Sequence, residues 1–198
     1  MKTAPRLLAL LPLLLLGFAG PAGAQYMRIT TDNPGDPTRV RSTGTTILTI
    51  TLDTSHDRNG SPQTCNSHTA ACGAPGTPQP LDMFSYTVTL SAVGGSVQWG
   101  TFTAADASYT PIGTDLADNA QTEFNRARPP GTVTPPGLST LGSIPVTILS
   151  GAPAVQIAHG QQQINPFGFG TGFGTDCDGS LYPNTYVLGD PADICGTG

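Results

Sequence analysis

The side chains best suited to chemistry lie near the end of the chain. Asp176, Asp178, Asp190 and Asp193 surround Cys177 and Cys195. If those two thiols join, the loop gathers four carboxylates, and hard oxygen donors of this kind suit calcium. Neither Asp176-Cys177-Asp178-Gly179 nor Ser55-His56-Asp57-Arg58-Asn59-Gly60 has the closing glutamate of an EF-hand loop. The four aspartates are therefore a candidate structural calcium site beside an Asp-Gly turn. No other cofactor is expected.

Cys65 and Cys72 form a second close pair. In an oxidising compartment such spacing favours disulfides. The local loops Cys65–Cys72 and Cys177–Cys195 are the expected pairing, although spacing alone does not choose among the connectivities open to four cysteines. A zinc set of Cys65, His68, Cys72 and His56 matches none of the usual finger spacings.

Catalytic constellations are thin, and no enzyme is expected. The chain has no G-x-S-x-G elbow for a serine nucleophile. His159 precedes a glycine and reads as a turn residue. Glu123 is the only glutamate, with Asp115 and Asp118 before it. These do not form the paired carboxylates that glycoside hydrolysis requires and read as a solvated charge cluster. Surface aromatic side chains offer a different chemistry, stacking on a sugar ring or docking a partner. Trp99 is the only tryptophan, and Phe167, Phe169 and Phe173 alternate with glycine in PFGFGTGFG. These four are the candidate ligand contacts. Packing of the phenylalanines into one end of the core is the competing reading.

These residues need strands to position them. Leu81 to Thr103 reads as a hairpin: Phe84, Tyr86, Val88 and Leu90 share a face, Val93-Gly94-Gly95-Ser96 reverses the chain, and Val97 and Trp99 return. Thr45 to Leu52 places Leu48, Ile50 and Leu52 on one face. Leu138 to Leu149 does the same with Ile144, Val146 and Ile148, and Pro145 implies an edge or a bulge there. Tyr26 to Thr30 reads as an edge strand. Ala154–Ala158 and Gln161–Ile164 read as a pair around Gly160, and Tyr182–Leu188 as the last strand. Residues 115–127 suit either a short capped helix, with Leu116, Ala120 and Phe124 on one stripe, or an irregular crossover ending in a strand. Asp53 to Pro80 is a long, weakly apolar loop.

The start of the chain has a basic head (Lys2, Arg6), an apolar run from Leu7 to Phe18, and Ala22-Gly23-Ala24. That is the form of a secretory signal peptide over 1–24, too short to span a bilayer. It leaves one domain at 25–198, a size that buries most of its surface, with its C-terminal segment 175–198 tied by the second cysteine pair. Secretion to the extracellular space or the periplasm follows, with no transmembrane segment. Loss of the leader leaves six arginines, no lysine and 13 acidic residues, for a formal charge of −7. Nucleic acid is not an expected partner, because neutralising phosphates takes a basic patch.

The order of segments TTILTITL, LDMFSYTVTL, LGSIPVTIL and AVQIA resembles the cohesin and carbohydrate-binding-module group of extracellular β-sandwiches. The resemblance implies an all-β sandwich, of jelly-roll or immunoglobulin-like packing, and a non-catalytic module that binds a polysaccharide or an extracellular surface protein. A self-associating component of a matrix or appendage is the alternative, and a hydrolase ranks below both.

Overall fold

The computed structural model describes residues 26–56, 58–62, 65–66, 78–79, 81–158, 171–175 and 184–187. The expected leader, the four candidate calcium ligands, His68, His159, Phe167, Phe169, the segment Gln161–Ile164, and Cys72, Cys177 and Cys195 lie outside them. All regular structure among the described residues is β, and every strand pairing is antiparallel. No helix among the described residues is long and apolar enough to cross a membrane.

Two long strands organise the fold. β1 (Tyr26–Thr31) and β2 (Thr45–Asp53) pair at one edge. A short pair, β3 (Cys65–Asn66) and β4 (Pro78–Gln79), falls within the long loop. β5 (Ser85–Trp99) runs for 15 residues. Three short strands follow: β6 (Thr103–Ala104), β7 (Thr110–Pro111) and β8 (Leu116–Ala117). β9 (Gln121–Ala127) leads to β10 (Leu138–Ile157), which runs for 20 residues. β11 (Gly172–Thr175) and β12 (Asn184–Val187) complete the set.

The first half of β10 pairs with β2, and its second half pairs with β5. The first half of β5 pairs with β9 on one side and β11 on the other. One layer is thus β1–β2–β10 with β6 and the end of β5. The other is the start of β5 with β9, β11, β12 and the end of β10. Between them lies one apolar interior that includes Leu48, Ile50 and Leu52, Ile144 and Val146, and Tyr86, Val88 and Leu90. The chain is an all-β sandwich made by folding one sheet over itself. A one-residue slip of β2 would move its three buried aliphatic residues to the solvent face, at about 1.5–3 kcal/mol each.

The expected hairpin at Val93–Ser96 does not form, because β5 passes straight through it. Gly95 pairs with Gly151 of β10, and β10 shifts register on both sides of this point. Gly94 and Gly151 have φ of 86° and 71°. A Cβ on Gly95 would lie 2.4 Å from the Ser150 carbonyl oxygen, and one on Gly151 would lie 2.6 Å from that of Gly94. Two backbones in near contact and bulged together make a corner, since bulges bend and twist the strand that carries them. Here the glycines turn two paired strands from one layer to the other.

Three other expectations meet the structure here. Residues 121–127 form a strand, because Thr122, Phe124 and Arg126 face inward while Glu123 and Asn125 pair with Thr89 and Thr87 on the outer face. The helical stripe at 115–127 is therefore overturned in favour of a crossover ending in a strand. Pro145 lies at neither a sheet edge nor a bulge. It pairs with Ile47 of β2, and on its other side it falls between β6 and β5, where its carbonyl accepts Gly100 N–H at 2.7 Å and its ring nitrogen returns no bond. Ala154 begins no new strand but continues β10.

Tyr86 ties the layers together. Its hydroxyl donates to the Leu141 carbonyl across the interior at 3.0 Å. Tyr109 lies 5.0 Å away, ring to ring, and donates to the Met83 carbonyl at 2.8 Å. Burial pushes both phenol pKa values up.

Two predictions follow from this packing. Gly151→Ala combines a left-handed backbone with a steric clash and is expected to cost about 2–4 kcal/mol in urea denaturation. Gly60→Ala, also at positive φ but in open space, is expected to cost only about 1–2 kcal/mol; equal losses would dismiss the close approach as the cause. Secondly, the folded state holds the two phenolic protons more tightly than the unfolded chain does. Their contribution is complete below about pH 10 and declines as pH rises above it. The denaturation midpoint should fall above that pH, and less steeply in Tyr86→Phe.

Candidate functional site

The outer face of the β5–β9 pair is polar, yet much of it is buried. Thr89 and Glu123 oppose each other, and Glu123 is only 1% exposed. Thr89 Oγ1 donates to one carboxylate oxygen and Asn125 Nδ2 to the other, both at 3.3 Å. The solvated cluster expected around Glu123 is thus overturned. A lone glutamate between Thr122 and Phe124 is the available signal, and it has meaning only in the strand-ending reading of 115–127, one of the two that the residues leave open. Thr171 completes this seam. β10 ends and β11 begins at nearly the same level of β5, leaving Thr89 N–H between them. Thr171 Oγ1 accepts that N–H at 3.0 Å and donates to the Ala158 carbonyl at 2.6 Å. These contacts satisfy buried backbone and hold the seam closed.

The open feature is at the mouth of the sandwich. Trp99 ends β5 on the same face as the buried Val97 and packs against the core. Beside it lies a cleft of about 290 Å³ lined by Trp99, Thr101, Phe102, Asp115 and Thr122 and floored by Phe124. Phe102 and Phe124 stack with centroids 3.8 Å apart. Phe102 reaches this place because residue 142 is glycine: a Cβ there would lie 2.5 Å from the ring. Arg126, 4% exposed, sits 5.1 Å above the Phe102 ring. Its two terminal nitrogens donate to both oxygens of Asp115 at 2.6 and 2.7 Å, in the bidentate geometry that suits guanidinium and carboxylate. Asp115 keeps 34% of its side chain exposed. The Trp99 indole nitrogen is enclosed and has no partner among the described residues.

Of the two expected ligand contacts among the described residues, Trp99 is placed at an open site. Phe173 is 1% exposed in the core, opposite Tyr86 on β11, which rules it out as a surface contact. The Asp115–Arg126 partnership is not legible locally, because it depends on the segment just before β8 meeting β9, 11 residues on, in space. Among the described residues no group of three or more potential ligands forms a metal site.

Two other places offer less. His56 Nδ1 approaches both Ser55 Oγ at 2.9 Å and Asp53 Oδ1 at 3.3 Å. A catalytic relay needs a different ring nitrogen for each partner. Asp53 Oδ1 also accepts the N–H groups of Ser55 and His56, so the cluster is a turn. A hollow of about 350 Å³ lies between Thr38–Ser42 and Ile148–Val155. Its main polar side chains, Thr38 and Arg39, are already engaged by Asp36.

No protein-family model matches this chain, and no curated protein matches it. A solved structure, the second type II cohesin module from the adaptor ScaA scaffoldin of Acetivibrio cellulolyticus, is similar to it at 14% identity with a TM-score of 0.46. That match covers 80% of this chain and 85% of the module.

Removing Asp115 leaves the Arg126 guanidinium buried without its counter-charge. Asp115→Ala is expected to lower stability by about 1–3 kcal/mol, measured by urea denaturation. Arg39→Ala, at an exposed pair, should leave the midpoint nearly unchanged. Equal effects would remove the special weight given to the Asp115–Arg126 pair.

Proposed function

We propose that this chain is an exported, non-catalytic binding module whose cleft beside Trp99 holds one sugar ring of a polysaccharide. The carrying observation is the composition of that cleft. Trp99, backed by the edge of Phe102, supplies an apolar wall for the C–H face of a sugar, while the Asp115 carboxylate and the Thr101 hydroxyl supply polar contacts for its hydroxyls. Its volume is at the small end of ligand sites, which matches one ring or a chain end. The leader at 1–24 and the four cysteines support export and pairing as Cys65–Cys72 and Cys177–Cys195. A structural calcium ion at Asp176, Asp178, Asp190 and Asp193 belongs to the same proposal.

Because Trp99 is the only tryptophan, all tryptophan emission reports on the cleft. Titration with a panel of soluble neutral, acidic and amino-sugar polysaccharides is expected to give a saturable change in that emission for at least one of them. In isothermal titration with that polysaccharide, Trp99→Ala and Asp115→Asn should each weaken binding about tenfold or more. A correctly folded protein whose emission responds to none of the panel would contradict the reading.

A further inference from the structure

We propose that the free edge of β1 binds an extended segment of another protein that presents a carboxylate opposite Arg28, and that the same arginine bars a second copy of this chain. Among the described residues β1 pairs only with β2. The phase of its hydrogen bonds shows which groups face outward. Asp32 N–H donates toward β2, to the Ile47 carbonyl at 3.1 Å, whereas Thr31 N–H points away and is taken by Pro37 at 2.6 Å. In an antiparallel ladder this alternates residue by residue. The N–H and C=O groups of Met27 and Ile29 therefore face outward, and Pro37 closes the edge beyond them.

The edge is fit for strand addition. Met27 and Ile29 turn their side chains to the core, and the register with β2 is unbroken, so the backbone between them is held. Short of the loop that covers Thr31, only one of the usual edge deterrents is present among the described residues, the exposed charge of Arg28. Four other arginines pair with aspartates: Arg39 with Asp36, Arg41 with Asp32, Arg126 with Asp115 and Arg128 with Asp106. Arg28 has no acidic partner among the described residues.

Charge then selects the occupant. A second copy using both outward-facing residues would pair Met27 with Ile29 and set Arg28 directly opposite its equivalent. Like charges in that position are destabilising, and an opposite charge there is stabilising. The net negative charge, −5 with the leader and −7 without it, does not steer an acidic segment toward the edge over distance, so the selection is a short-range contact. Main-chain bonds supply affinity and the facing side chain supplies choice, as in other strand-addition complexes.

The probes are two blocked synthetic peptides of alternating threonine and valine, with aspartate or lysine at the central position. The readout is the amide spectrum of the exported protein. The aspartate peptide is expected to shift the Met27 and Ile29 amides saturably and to bind roughly three- to fivefold tighter than the lysine peptide. In Arg28→Glu the order should reverse, and Arg28→Thr alone should show concentration-dependent dimers in sedimentation. Equal affinity for the two peptides, shifts confined to other strands, or wild-type dimers that protect Met27 and Ile29 would each overturn the proposal.

Discussion

The close approach of Gly95 to Ser150 and Gly151 is the constraint on which the rest of this molecule depends. β5 and β10 are paired on both sides of that point, and they leave one layer and enter the other together. Any side chain at the contact would push the two backbones apart. Without the corner, the starts of β5 and β10 would not face each other, and the Tyr86 hydroxyl would not reach Leu141. The single interior, from Leu48 on β2 to Phe124 on β9, is a consequence of that turn.

Polar residues follow the same plan at the margins of the core. On the outer side of β5, the seam of Thr89, Glu123 and Thr171 closes the gap where β10 stops and β11 starts. At the mouth, the Asp115–Arg126 pair pins the segment before β9 to the Phe102–Phe124 stack. The first arrangement is shut; the second leaves a cleft. That difference is why a ligand site is placed at Trp99 and not at the buried glutamate. The edge of β1 is independent of both, its outward-facing groups being set by the phase of its ladder with β2.

Period-two runs were legible wherever one face is dry. Leu48, Ile50 and Leu52 are buried as their alternation implies, as are Tyr86, Val88 and Leu90, and β1 is an edge strand. The glycine pair misled because Gly-Gly serves a tight reversal and a two-strand corner equally well. Only its partner Gly151, more than 50 residues away, decides between them. Residues 115–127 misled for a related reason. Leu116, Ala120 and Phe124 suit a helical stripe, while the alternation of Thr122, Glu123, Phe124, Asn125 and Arg126 gains meaning only beside β5. The ion pair at the cleft depends on β8 folding back on β9, and the Thr171 bridge on a contact 82 residues apart, neither of which leaves a local trace. Trp99 was visible as a candidate by its type; the walls around it were not.

The central claim is that β5 is one continuous strand bent at Gly94 and Gly95 and paired with β10 on both sides of the bend. Cross-strand nuclear Overhauser effects between backbone protons test it directly. Contacts of Ala92 with Val155 and of Val97 with Ile148 are the result predicted. Contacts of Ala92 with Val97, and of Leu90 with Trp99, would show a hairpin at the glycines and contradict the account.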